Sequence, residues 1–381
     1  MRARKRRLTD NARAFLDAYT NGLKREDVQR LFTRDTREAY RFFARHFDEK
    51  ELAALPRRKR WRARARLFFW AFTLRLSPAR RLLYGVALVL CLIGFLELFR
   101  GFGGSFPIPT WAQGSGKLFL GVLALNLLVL LEVADRLSLK NDLEIAREIQ
   151  YAMLPQAAYD SPVLEAFGLT RPANTVGGDF YDVLPLPDGR VIVTLGDVAG
   201  KGSPAALLMA LLLAMFRTLV DEGLEAAALA ERLNVQVSRH APASRFITLF
   251  FATCDPATGR TVYVNAGHMP GLLCRRDGTI ERLSGGGIAL GMFDRSKYEA
   301  HETVIEPGET LVLYSDGVTE AENHKGVAFE ESGLERVITA RAQASPRELA
   351  AEIVRVVEAH AQETYLADDL TVLVVRRKAV S

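Results

Sequence analysis

An α+β fold, with antiparallel sheets flanked by helices and an all-α membrane-associated region ahead of them, follows from three features of the 381-residue sequence. From about residue 160 onward, short β-rich apolar runs succeed one another without helices between them, which argues against a doubly wound parallel sheet. Upstream lie two strongly apolar segments, 82–99 and 118–131. Charge divides nearby: up to Arg81 there are 24 basic against 9 acidic residues, a net +15, while the remaining 300 residues hold 26 against 36, a net −10.

The length favours two or three regions, and 49% hydrophobic with 25% charged residues is a globular balance with some membrane excess. The runs "MRARKRR" and "RRKRWRARAR" have the charge to bind nucleic acid, but they precede apolar segments, where cytosolic arginines beside a span explain them more simply. No nucleic-acid partner is expected. Cys91, Cys254 and Cys274 show no zinc-like spacing and no disulfide framework, which fits a reducing compartment. No short apolar core follows the first arginines, so the start does not read as a secretory signal.

Residues 1–66 read as a basic helical cytosolic region. Within it, 9–55 hold two or three amphipathic helices whose apolar faces include Phe15, Leu31, Phe32, Phe42, Phe43 and Phe47. Residues 67–134 form a membrane hairpin: "LFFWAFTLRL" (67–76) lies along the bilayer surface, and two transmembrane helices follow, joined by a Gly/Pro/Trp-containing outer loop. The second span is short unless it extends through Val133 and Ala134; a buried helical hairpin in a soluble bundle is the competing reading. The arrangement predicts a multi-pass protein of the inner or plasma membrane, its C-terminal domain cytoplasmic. Residues 135–158 form a linker helix with Leu139, Leu143, Ala146, Ile149 and Met153 at roughly heptad spacing. That seam suits either homodimerisation or docking on the following domain.

The last domain spans 159–381. Strands are expected at 178–186, 190–197, 246–254, 260–266, 270–275, 302–306, 309–315 and 370–376, and helices at 203–221, 225–240, 330–341 and 346–362. Four strands begin or end at acids: "VGGDFYDV" with Asp179, "VIVTLGDVAGKG" with Asp197, "LVLYSDGVTEA" with Asp316, and "DDLTVLVV" with Asp368 and Asp369. One such acid is usually a turn residue. Four at strand ends can converge on one rim, where their repulsion needs a cation. Oxygen-only donors select Mg²⁺ or Mn²⁺ over zinc. Gly177, Gly178, Gly196, Gly200, Gly202 and Gly317 are expected to keep that rim open.

The ordered segments "AREIQYAMLP", "VGGDFYDV", "GDVAGKGSPAAL", "FITLFFATCD", "VNAGHMPGLL", "GIALGM", "YSDGVTEA" and "DDLTVLVV" resemble the SpoIIE/RsbU branch of the PPM superfamily of metal-dependent protein serine/threonine phosphatases, over roughly 142–377. The resemblance implies an α-β-β-α sandwich and a centre of two or more Mn²⁺ or Mg²⁺ ions. Asp197 would bridge both cations, the Val198 carbonyl would join one, Asp316 and Asp368 would ligate the other, and Asp179 would act directly or through water. Asp369, where the wider superfamily often has Asn, would stand behind the ligands, although either of the adjacent acids could face inward. The substrate implied is a phosphorylated regulatory protein such as a STAS-type anti-anti-sigma factor. Two ions about 3.5–4 Å apart can make a metal-bound water the nucleophile, so no covalent catalytic residue is expected.

Many eukaryotic members carry histidine where this chain has Ala199, which leaves the general acid unassigned. Lys201 reads as a solvated lysine, with a phosphate contact as its alternative, and His268 as a hydrogen-bonded turn residue rather than a catalyst. "VGGDF" lacks the second acid of a GGDEF cyclase loop, and "GDVAGKG" has Leu195 and Gly202 where a P-loop needs Gly and Ser/Thr. A catalytically silent membrane scaffold using a phosphatase-like domain for partner binding is the remaining alternative.

Overall fold

The structure, a computed structural model, describes residue 73 and residues 76–101, 108–242, 245–361 and 368–379. The expected helices within 9–55 and nearly all of the surface segment 67–76 lie outside the described residues. The chain divides into two units, Met1–Leu137 and Ser138–Ser381.

In the first unit, α1 (Pro78–Gly101) pairs with the N-terminal part of α2 (Ile108–Met153). At 1.5 Å per residue, 24 residues reach about 36 Å, enough for a hydrocarbon core of about 30 Å. The apolar stretches have mean hydropathy of 2.0 and 2.1. Small residues let the two backbones approach: a Cβ at Gly94 would lie 2.6 Å from the Leu118 nitrogen, and Ala87 is fully enclosed. Leu82, Phe119 and Leu130 instead point outward, each at least 65% exposed. Arg80 donates to Asp135 at 2.6 Å beyond the apolar stretch. The second apolar stretch continues through Val133 and Ala134: Leu-rich sequence carries one unbroken helix of 46 residues from it into the polar linker.

The second unit is an α-β-β-α sandwich. Its strands are β1 (Tyr159–Asp160), β2 (Leu164–Arg171), β3 (Phe180–Pro185), β4 (Val191–Val198), β5 (Ile247–Cys254), β6 (Arg260–Ala266), β7 (Gly271–Cys274), β8 (Ile280–Leu283), β9 (Gly286–Gly287), β10 (His301–Val304), β11 (Thr310–Tyr314) and β12 (Leu370–Arg377). One sheet runs β1-β2-β12-β11-β7-β8 and the other β10-β6-β5-β4-β3, with β9 alongside β6. The helices are α3 (Ser203–Val220), α4 (Ala226–His240), the single turn α5 (Asp316–Thr319), α6 (Glu330–Ala340) and α7 (Pro346–Ala361).

Period-two alternation builds the layers. Leu311 and Leu313 on β11, with Leu373 and Val375 on β12, face the other sheet, whereas Val312, Tyr314, Val372 and Val374 face α6 and α7. On the opposite side, Leu208, Met209, Leu212 and Phe216 of α3 enter the core, Phe216 meeting Phe251 edge-on at 5.6 Å. Each enclosed Leu or Phe contributes about 1.5–3 kcal/mol over its exposed state. Although α3 is long and apolar enough to cross a membrane, one face of it is committed to this sandwich, while Leu207 and Leu211 on the other face are exposed. Strands β1, β2, β8 and β9 have no counterpart among the expected elements; "LEAFGLTR" and "IERL" mix polar and apolar residues without clean alternation.

Candidate metal centre

Antiparallel pairing explains why the acids meet. Phe180 at the start of β3 pairs with Gly196 near the end of β4, so Asp179 and Asp197 share one edge. Tyr314 at the end of β11 pairs with Val372 near the start of β12, so Asp316 and the Asp368–Asp369 pair share the matching edge of the facing sheet. Four loops thereby deliver carboxylates to one rim.

Their electrostatics show how near they are. Burial, then the charges of Asp197 and Asp369, push Asp179 well above the ordinary carboxylate range. Asp197 rises to about 6, first through burial and then through the charge of Asp316, with the neighbouring Asp179 side chain acting against the rise. Asp316 is also raised, by burial and then by Asp368, with the Gly317 N–H and Lys201 acting against it. Crowded like charges hold protons when no cation neutralises them.

Asp368 and Asp369 are adjacent but differently placed. Asp369 is buried, and its carboxylate accepts N–H groups from Ala173 at 2.8 Å and Gly178 at 2.7 Å, fixing the turn that carries Asp179. Asp368 is more open and forms an ion pair with Lys201 at 2.8 Å, so that lysine belongs to the rim and is not merely solvated. The glycines divide by what they meet. A Cβ at Gly178 would lie 2.9 Å from the Val198 carbonyl oxygen and 3.2 Å from Asp197 Oδ1, and one at Gly177 or Gly317 would strike Asp369. Gly196 accommodates the Phe180 ring and Gly200 the Arg245 guanidinium, so packing rather than an open rim explains those two.

The donor set fits a hard divalent cation. Every acid at the rim offers oxygen, and Asp179 Oδ2 is buried without a hydrogen-bond partner. The Val198 carbonyl faces Gly178, where a side chain would fill the space. Among the described residues no three His, Cys, Asp or Glu side chains stand already closed on one point.

Other contributors lie within the ordered motifs, but the sequence does not show what they touch. The Ser315 hydroxyl donates to the Asp369 carbonyl at 3.1 Å and accepts the Thr371 N–H at 3.0 Å, joining the two acid-bearing loops. Gln150 of α2 donates to the Gly177 carbonyl at 2.8 Å and accepts its N–H at 3.1 Å. Thr248, opposite Asp197 on β5, is 2.8 Å from His268 Nδ1. Burial lowers His268 to about 4, which keeps it neutral at physiological pH.

Comparison with known proteins agrees with this fold. The family described as Stage II sporulation protein E (SpoIIE) matches residues 187–378. Phosphoserine phosphatase RsbU of Bacillus subtilis is 30% identical over 241 residues, covering 63% of this chain and 71% of RsbU. The RsbU and RsbW domains of a Mycobacterium tuberculosis protein superpose with a TM-score of 0.51 at 25% identity, over 58% of this chain and 61% of that one, so the match spans less than two thirds of the mycobacterial chain. The SiaA-PP2C domain of Pseudomonas aeruginosa shares the fold, with a TM-score of 0.56 at 24% identity over 64% of this chain and 98% of that domain.

Proposed function

The chain belongs to the SpoIIE family of metal-dependent PPM serine/threonine phosphatases, and on that premise we propose that it dephosphorylates phosphoserine or phosphothreonine on a regulatory protein while tethered to a membrane. The observation that carries the reading is the delivery of Asp179, Asp197, Asp316 and Asp368 from four strand ends to one rim, where the Asp179 carboxylate is buried with one oxygen unpartnered. Those four acids and the Val198 carbonyl would hold two or more Mn²⁺ or Mg²⁺ ions. Such ions activate water at neutral pH and neutralise phosphoryl oxygens.

The protein's own groups prepare the site. Asp369 and Gln150 fix the Gly177–Gly178 turn from two sides, so Asp179 is delivered with little conformational freedom. Thr248 and neutral His268 brace the strand behind Asp197. Ala199 offers no proton, and His268 Nε2 is enclosed, so the departing serine or threonine oxygen takes its proton from solvent.

The length and apolar character of α1 and α2, with the basic residues ahead of them, support an inner- or plasma-membrane anchor with the phosphatase domain on the cytoplasmic side. A phosphorylated STAS-type anti-anti-sigma factor suits the proposed chemistry. Leu139 and Ile149, about 60% exposed on α2, supply an apolar stripe through which two copies would associate. The test is hydrolysis of p-nitrophenyl phosphate and of a phosphorylated STAS protein by the full chain in nanodiscs. Release should require Mn²⁺ or Mg²⁺, stop with chelator and return on metal addition. No metal-dependent release at any enzyme concentration would leave the silent scaffold as the better account.

A further inference from the structure

Lys201 sits between two glycines in left-handed backbone, Gly200 at φ +108° and Gly202 at φ +73°. Below it the loop is anchored, because Arg245 donates to the Ala199 carbonyl and packs against Gly200. Above it there is room: a Cβ at Gly202 would meet nothing within 4 Å. From this short arm the ammonium reaches Asp368 Oδ2 at 2.8 Å, and its charge acts also on Asp316 and Asp369. A monovalent cation of the chain thus stands among carboxylates whose donor chemistry suits a divalent one.

We propose that Lys201 is an internal counter-cation, which holds Asp368 when no metal is bound and is displaced from it when a divalent ion arrives. The inference rests on the metal-centre reading of the rim. Magnitudes favour displacement. The two side chains are 51% and 37% exposed, so water screens their pair and leaves it weak. A divalent ion held by several carboxylates gains far more, and its charge repels the ammonium. Without the lysine, the metal-free rim would carry one more uncompensated negative charge. The same contact therefore steadies the metal-free protein and opposes metal binding.

Those two effects have opposite signs, which separates this role from simple structural support. The experiment titrates Mn²⁺ into the full chain in nanodiscs, following free Mn²⁺ by electron paramagnetic resonance, with thermal unfolding of each metal-free sample. Lys201→Met and Lys201→Gln should each bind Mn²⁺ about two- to fivefold more tightly than wild type, as loss of a half-exposed competing pair requires. Their metal-free forms should unfold at lower temperature. Lys201→Arg, which keeps the charge and the pair, should not tighten binding. In Asp368→Asn, removing the lysine charge should shift the affinity of the remaining ion by less than half as much. Unchanged or weaker binding in the Met and Gln variants overturns the proposal. So does a full shift in the Asp368→Asn background, which would mark a general field rather than competition for Asp368. Wild type that binds no Mn²⁺ and shows no metal-dependent hydrolysis overturns the metal-centre reading itself, whereas wild type that binds and hydrolyses beside unaltered lysine variants overturns only this inference.

Discussion

Asp197 shows what function asks of single residues. Its pKa of about 6 means that the folded, metal-free protein binds its proton more tightly than the unfolded chain does. The associated stability is complete below the unfolded value near 4 and is lost as pH rises through about 6. Asp197→Asn removes that loss together with the metal ligand. At pH 7 the metal-free variant should melt about 3–6 °C above wild type, the two should coincide near pH 4, and Mn²⁺ should raise the melting point of wild type alone. His268, lowered to about 4, acts in the opposite sense, its stability being lost as pH falls, but it is common to both proteins and cancels in the difference. Calorimetry across pH 4–7 checks this; a gap independent of pH would remove the repulsion argument. The acids were legible in the sequence because Asp179, Asp197, Asp316 and Asp368 stand at the ends of apolar runs. Ser315, Thr371 and Thr248 were not, because a hydroxyl that bridges two loops leaves no periodic trace.

At the level of elements, regular alternation decided what could be read. Strands β4, β5, β11 and β12 are continuous apolar runs, as both faces of each are covered, and they lie within a residue or two of the expected spans. Strand β2 escaped because "LEAFGLTR" is interrupted by Gly168, where a Cβ would collide with the Tyr181 ring. At the end of α2, Met153 of the heptad-like seam packs with Leu154 on the core, and polar contacts that no periodicity shows add to the hold. Arg217 on α3 donates to Asp182 at 2.7 Å and to the Met153 carbonyl at 2.7 Å, joining α3, β3 and the last turn of α2. Asp182 is only 2% exposed, so Arg217→Met should leave a buried carboxylate without its cation. The expected loss is about 2–3 kcal/mol, below the fully buried case because the arginine is partly open to water. Urea unfolding of Ser138–Ser381 measures it, and Asp182→Asn in the same chain should restore most of the stability. A double variant no more stable than Arg217→Met would show that packing, not charge, secures this corner.

For the whole molecule, the two units distribute apolar surface differently. The hairpin exposes apolar residues along most of its length, among them Leu82, Phe119 and Leu130, while the second unit buries most of its apolar residues in two cores and exposes a few, such as Leu207 and Phe293. Charge supplies a direction to test: the basic residues lie ahead of α1 and in its first turn, and Arg80 meets Asp135 at the far end of the apolar stretch of α2, so a spanning hairpin would have both ends on one side. Labelling with a membrane-impermeant maleimide tests that topology. Cys91 lies within the proposed span and Cys254 and Cys274 are buried, so background reaction should be low. In sealed right-side-out vesicles, Ser115→Cys, near the start of α2, should react, and Ser138→Cys should react only after the vesicles are opened. Both positions reacting in sealed vesicles would mean that α2 does not cross, and the phosphatase domain would then lose its assignment to the basic, cytosolic side. The sequence could not settle this from length, because 118–131 alone is too short; an uninterrupted helix of 46 residues allows one element to cross the bilayer and still reach Gly177.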